Sequence, residues 1–344
     1  MTEKVKKQSY FMNRMEKGAG GISAAILVSL GIGLLLKSVG GLFHIDLLVM
    51  IGTIATYLMT PALGGAIAVS LGANGLTIVS SMISAAIGGN AITQAGDSFN
   101  IVTGEPIGAI LAAIIATFVG KKVTGKTFLD LMAVPLSSVL AGSIAGFYLS
   151  KIISPTLITI SKFITSTVGN QPLVTSVVIA IVFAVLVMTP ASSAALAVAL
   201  QLDPHASSAA LVGISAQFVG YTAMSFKEND LGGFLAQSIC TPKVQFPNIV
   251  KNPSVTIAPL IAAAVAGPVA VLVFDMKLPY EIAGLGLCAL IAPIQILNAQ
   301  GLGVLMQFII AGIIVPLIVT LLVHYLVMKP KRFVKTGDLH LEVN

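Results

Sequence analysis

The sequence predicts an all-α polytopic membrane protein of about ten transmembrane helices, in two parallel repeats with broken or re-entrant helical segments. Three observations carry this. First, only 9% of the 344 residues are charged, 56% are hydrophobic, and mean hydropathy is +0.99. A water-facing surface needs about 25% charged residues, so the solvent implied is lipid. Second, residues 47–96 and 163–202 contain no Asp, Glu, Lys or Arg. Each run holds about two spans, and neither alternates as barrel strands do. Third, MTPALGGAIAVSL (59–71) returns as MTPASSAALAVAL (188–200), with eight of thirteen positions identical at an offset of 129 residues.

The spans are expected at about 22–43, 45–71, 74–94, 105–121, 127–150, 172–200, 205–225, 230–245, 254–276 and 303–328. Basic residues gather beside them: Lys4, Lys6, Lys7, Arg14 and Lys17; Lys121, Lys122 and Lys126; Lys243 and Lys251; Lys329, Lys331, Arg332 and Lys335. The positive-inside rule sets all four clusters, and both termini, in the cytoplasm. The leading segment does not fit a cleaved signal peptide. The +6 net charge is therefore a topology signal, and no direct nucleic-acid binding is expected.

The domain plan is a cytoplasmic segment (1–18), a first transmembrane half (19–151), an interfacial linker helix with Lys151 and Lys162 (152–171), a second half (172–328) and a cytoplasmic tail (329–344). Pro61 and Pro190 sit at equivalent depths, each expected to break its helix. VPLSSVLAG (134–142) echoes APLIAAAVAG (258–267). Composition alone can also make two helices look alike. Residues 280–300, with Pro293, Gln295, Asn298 and Gln300, read as a hairpin dipping in and out, because broken backbone survives at membrane depth only beside protein or cavity water.

Polar residues at that depth are costly and mark sites. Two stretches hold them. In GGNAITQAGDSFNIVTGEPIGA (88–109), Asn90, Gln94, Asp97, Asn100, Thr103, Gly104, Glu105 and Pro106 are the candidates. Amides, hydroxyls and carboxylates supply the donors and acceptors a polyol needs. The plainer reading is an extracellular loop whose Glu105 caps a helix. In QFVGYTAMSFKENDLGG (217–233), Gln217, Lys227, Glu228 and Asn229 are expected on the same outer face, lining one cavity with the first stretch. The plainer reading is a solvated turn with weak local charge pairing.

His44 and His205 read as span-end residues and His324 as structural; Cys240 and Cys288 read as small buried hydrophobes. Asp130 reads as a helix cap, and Asp275 with Lys277 as outer-interface residues. GKKVTGK (120–126) has the wrong spacing for a phosphate loop. HExxH, CxxC and GxSxG patterns are absent. No metal site, cofactor or catalytic residue is expected.

The stretches GEPIGAILAAIIATFVGKKVTGKTFLDLMAVPL and VGYTAMSFKENDLGGFLAQSICTPKVQFPNIVKNP give a family resemblance over about residues 15–328. The chain resembles the IIC-like membrane subunits of the sugar phosphotransferase system, in particular the stand-alone branch that includes the perfringolysin O regulator type. In the fructose–mannitol class a Gly-rich loop with Glu lies beside the sugar, and Gly104, Glu105 and Pro106 resemble it loosely. The resemblance implies a plasma-membrane homodimer with a scaffold part and a mobile part that carries a sugar by an elevator motion. It also implies separate IIA and IIB phosphotransferase partners, since neither domain is attached here, so the chain is expected to bind rather than catalyse. Two other readings stay open: a membrane sensor or regulator of the same fold, and an ion-coupled transporter of an organic anion.

Overall fold

The computed structural model describes residues 2–95, 98–167 and 171–341, and it divides into two compact units, Met1–Pro155 and Thr156–Asn344. Among the described residues, five helices are long and apolar enough to cross a bilayer, or six if one bent pair counts as a span.

In the first unit, α1 (Asn13–Leu42) is followed by the bent pair α2 (Asp46–Tyr57) and α3 (Met59–Ser70), which meet at 57°. Pro61 has no N–H for the Tyr57 carbonyl and its ring collides with that carbonyl. The bend therefore falls at Leu58, directly after the carbonyl that has lost its donor. Pro61 itself stays in the first turn of α3, so the expected break falls just ahead of it, at Leu58.

Helix α4 (Gly75–Gly88) starts at Asn74, whose Oδ1 accepts from the Thr77 N–H at 2.9 Å. A short hairpin follows, β1 (Ile92–Ala95) against β2 (Ser98–Ile101), with Thr93 opposite Asn100. These strands are a departure from the all-α expectation. Next come α5 (Pro106–Val123) and α6 (Asp130–Ile152). Gly88 and Gly108 face each other so closely that a Cβ on Gly108 would strike the Gly88 carbonyl, and small residues are what allow such contact. Ser81 Oγ ties α4 to the Gly64 carbonyl (2.9 Å), and Ser138 Oγ ties α6 to that of Ala116 (2.7 Å).

Lys121 donates to the Leu71 carbonyl and feels the charges of Arg14 and Lys17, so two of the basic clusters share one end of this unit. The hairpin marks the other end. Asp130 does not cap its own helix. Its carboxylate accepts from Gly125 N, Thr127 N and Thr127 Oγ1 and so shapes the turn before α6.

In the second unit, α7 (Pro172–Met188) leads through a helix break to α8 (Ser193–Leu200). Next is α9 (Pro204–Met224), capped by Asp203, whose Oδ1 accepts from His205 N and Ala206 N. Then come α10 (Leu231–Cys240), α11 (Phe246–Lys251), α12 (Pro253–Val273), α13 (Tyr280–Ala283) and α14 (Cys288–Met328). The core is the buried α9, packed against α7, α12 and α14.

One end of this unit is fixed where the start of α9 meets the chain after α12. Leu278 N donates to the Pro204 carbonyl, Ser208 Oγ to that of Met276 (2.8 Å), and Asp275 bridges His205 and Lys277 (both 2.8 Å). The hydrogen bonds from Lys277 and then His205 hold the Asp275 carboxyl below the usual carboxylate range. Gln300 Nε2 reaches the Lys277 carbonyl at 3.0 Å, so residues 279–300 leave and return at this end, the expected hairpin. Left-handed backbone at Ala289 and Leu290 turns its tip, and Gly301 (φ +85°) breaks α14 as the chain departs.

The other end holds the C-terminal tail, and here two expectations fail. Glu228 and Asn229 bond to Leu339–Leu341, Gln245 to Leu339, Asn248 to His340, and Asn252 to Phe333 and Asp338. The turn at 225–230 therefore lies beside the tail rather than on the opposite face. Residues 230–252 leave and return at that end, so 230–245 is not a crossing. The physical reason is length: α10 has ten residues, far short of the roughly 20 a span needs.

Candidate functional site

The first candidate stretch folds at the hairpin end of the first unit. Gly89 and Gly104 close its base: Val102 N donates to the Ala91 carbonyl and Glu105 N to that of Gly89 (2.7 Å). Gly104 has φ +76°, and a Cβ there would sit 2.7 Å from the Gly89 oxygen and 2.8 Å from Thr60 Cγ2, so only glycine fits. Glu105 caps α5. Its Oε1 accepts from Ile107 N (2.9 Å) and its Oε2 from Gly108 N (2.6 Å), with Pro106 at the first helical position.

The half-buried carboxylate still has lone pairs beyond those two bonds. Asn90, in left-handed backbone (φ +51°), donates to Ser150 Oγ at 3.3 Å. The structure thus brings Asn90, Thr103, Gly104, Glu105 and Pro106 together. Gln94 and Asn100 stand exposed on the two strands instead. Asp97 lies outside the described residues.

The second stretch divides. Lys227 is exposed. Glu228 Oε2 accepts from Leu339 N (3.1 Å), and Asn229 donates to the Leu339 carbonyl (3.0 Å) and accepts from Leu341 N (2.7 Å). These side chains hold the tail. Gln217 is a full turn and more away, inside α9 and fully buried.

The residue that sequence reasoning places elsewhere is Lys243. The sequence groups it with Lys251 in a surface cluster, yet only 9% of it is exposed. Its Nζ donates to the carbonyls of Thr189 (2.6 Å) and Ala191 (2.7 Å), the two residues flanking Pro190. Proline forces that arrangement: the Leu186 carbonyl loses its partner and takes Thr189 N and Thr189 Oγ1 instead (2.8 Å to the hydroxyl). The chain then stays out of the helix until Ser193, leaving carbonyls turned toward a cation.

Three segments meet around this ammonium. The first is the α7–α8 break. The second is residues 230–252, held by a relay of amides: Gln237 Nε2 to Ser225 Oγ (2.7 Å), Gln245 Nε2 to Gln237 Oε1 (2.9 Å), and Asn248 Nδ2 to Gln245 Oε1 (2.7 Å). The third is the 279–300 hairpin, whose Gly284 carbonyl accepts from Ser193 Oγ (2.8 Å). A Cβ on Gly284 would strike Ala194 Cα and sit 2.5 Å from the Ser193 oxygen. Cys240 and Cys288, both unbridged, lie near enough to Lys243 and each other to interact electrostatically.

The arrangement puts one buried positive charge, the start of α8 and several amides around a helix break. That is chemistry for holding a polar or hydroxylated solute. The hairpin adds a cleft of about 300 Å³ lined by Pro279, Ile282, Gln295, Asn298 and Gln300 among others. A signal for Lys243 is present in the sequence: TPK at 241–243 sits between apolar runs, only two residues from the ten-residue α10. Among the described residues no group of His, Cys, Asp and Glu is placed to hold a metal ion.

A family model described as Phosphotransferase system, EIIC matches residues 16–341. The chain therefore belongs to the phosphotransferase EIIC family, the membrane permease component of sugar uptake. No curated protein and no solved structure matched.

Proposed function

We infer that this chain is a multi-pass permease of the plasma membrane that binds a sugar and carries it across by an elevator-type motion. The observation that carries the reading is Lys243, buried and bonded to both carbonyls that flank Pro190, where three segments converge. Broken helices at depth are where transporters hold solutes. In this reading the second unit is the part that carries solute and the first unit is the scaffold. The loop at Asn90 and Thr103–Pro106 is a second place where solute hydroxyls are held.

In this reading both termini are cytoplasmic, by the positive-inside rule applied to the basic clusters beside the spans. The two helix–bend–helix pairs at Met59 and Met188 are the traces of an internal repeat. The working form is a homodimer in lipid, and separate IIA and IIB proteins phosphorylate the sugar. The chain contributes binding and translocation, not phosphoryl transfer.

The test is a thermal-shift screen of the purified protein against sugars, sugar phosphates and small carboxylates, with Lys243→Met alongside. A ligand that binds only the folded state raises Tm by mass action. A sugar that stabilises the native chain and leaves Lys243→Met unmoved is the expected result. Stabilisation by carboxylates alone would replace the sugar reading with an organic-anion transporter; a sugar response retained in full by Lys243→Met would remove Lys243 from the site.

A further inference from the structure

Away from the break, α9 and α14 enclose a set of polar atoms that have no partner. Gln217 Oε1 and Nε2, Tyr221 Oη, Thr320 Oγ1 and both ring nitrogens of His324 are buried and unbonded. All four residues are at most 1% exposed. They are not scattered. Gln217 and Tyr221 are one turn apart on α9, and Thr320 and His324 one turn apart on α14. Gly220, beside Tyr221, joins the pairs, since its Cβ position lies 3.2 Å from Thr320 Oγ1.

A dry seam of this kind is not compatible with a stable fold. Each unsatisfied buried polar group costs free energy on the scale of a lost hydrogen bond. Four groups together would consume much of the margin by which a protein is stable. A Thr hydroxyl can turn back to its own helix, which disposes of an isolated case such as Thr77. A glutamine amide and an imidazole with both ends unpaired have no such escape.

The contrast within the unit is informative, because the other buried amides, Gln237, Gln245 and Asn248, are all bonded. The seam is also uncharged: residues 204–224 and 302–328 contain no Asp, Glu, Lys or Arg. It offers donors and acceptors without a charge, which suits neutral hydroxylic molecules and not an ion. Buried water makes about three hydrogen bonds to such groups.

We propose that the seam between α9 and α14 is a binding site for internal water, in which bound water molecules satisfy Gln217, Tyr221, Thr320 and His324. Ser225, one turn beyond Tyr221, begins the amide relay that positions the segment carrying Lys243. The water site therefore continues a polar path from the middle of α9 to the tail end of the unit. It stands whether or not Lys243 binds a solute.

Microsecond hydroxyl-radical footprinting of the full chain tests it, since radiolysis of bound water labels side chains that bulk solvent cannot reach. Tyr221 and His324 are expected to be labelled at rates near that of exposed Tyr325, and at least tenfold faster than the equally buried Phe183 and Phe308. Labelling at the rate of those phenylalanines overturns the proposal. Gln217→Leu and Thr320→Val add a second reading. With water bound, each lowers Tm by a few degrees and Gln217→Leu slows labelling of Tyr221. A rise in Tm on removing these groups would show a dry seam and also overturn it. If either variant fails to fold, the footprint of the unmodified chain decides.

Discussion

Met-Thr-Pro-Ala at 59–62 forms the first turn of α3, with Ala62 N already bonded to the Leu58 carbonyl at 3.0 Å. The same four residues at 188–191 end α7, and the next helix waits until Ser193. The local effect of proline is identical in both places: the carbonyl four residues earlier, Tyr57 or Leu186, loses its donor. The two chains then diverge because their neighbours differ. Beneath α3, Thr60 is fully buried with its hydroxyl unbonded and its methyl packed toward Gly89 and Gly104. In the second unit the Thr189 hydroxyl bonds to Leu186, and Lys243 supplies a cation for the two carbonyls the helix would have used. At the same 129-residue offset from Lys243 the first unit has Ile114, 43% exposed. One tetrapeptide thus makes a bent helix where it is packed by apolar groups and an open break where a charge is brought to it.

The comparison can be broken at its strongest point with Lys243→Met. The Thr189 and Ala191 carbonyls would lose charge-assisted partners in a buried place, which costs about 2–3 kcal/mol. We expect a clear fall in Tm measured by thermal denaturation in detergent, together with loss of solute response. An unchanged Tm would mean that the break holds itself open. Gly104→Ala probes the other copy. With φ at +76° and the Gly89 oxygen in the way, it should cost about 2 kcal/mol. Release of the loop over Thr60 should appear as faster proteolysis or hydrogen exchange within residues 88–109, and protection equal to the parent chain there would count against the close packing.

A matched pair sharpens the comparison further. Thr189→Val removes the donor to Leu186 and the acceptor of Ala191 N (3.2 Å), for a loss of about 1 kcal/mol. Thr60→Val removes a hydroxyl with no partner and keeps the shape, so it should be neutral or slightly stabilising. Equal effects on Tm would erase the distinction drawn between the two stretches. The smallest effect belongs to the exposed clamp that ties the start of α9 to the chain after α12. The Asp275 carboxyl titrates below its unfolded value, so its contribution is complete above about pH 4 and is lost as pH falls through the lower folded value. Asp275→Asn should lower Tm by about a degree near neutral pH, and the two chains should converge as pH falls through that acid range. A pH titration of Tm checks this, and a difference at pH 3 larger than that at pH 7 would contradict it.

Much of the first unit is legible in the sequence. Its helices follow the expected apolar runs because each run is bounded by a readable signal: Asn74 and Glu105 as caps, Pro106 at a helix start, basic residues at one end. Glu105 is the cap that the plainer reading allows, each of its carboxylate oxygens accepting one backbone N–H, from Ile107 and Gly108. The strand pair at 92–101 is not legible, because its exposed Ile92, Phe99 and Ile101 alternate with polar residues over too few positions to register. In the second unit the 279–300 hairpin is readable from its prolines and amides, whereas 230–245 reads as a crossing and is not one. Its helix is apolar but only ten residues long, and the amides that tie both its ends to the tail show that it turns back.

By itself, then, the sequence determined the solvent, the helical class, the family resemblance and the positions where helices cannot continue. Those come from composition and from the covalent geometry of proline and glycine, which act over a few residues and need no partner. Tertiary structure alone decided which break became a site, why Lys243 is buried while Lys227 is exposed, and that Glu228 and Asn229 serve the tail rather than a solute. These are matters of which distant groups share a hydrogen bond across 54 to 112 residues of chain. Hydropathy reports how each segment meets lipid, and it carries no record of which carbonyl an ammonium will find.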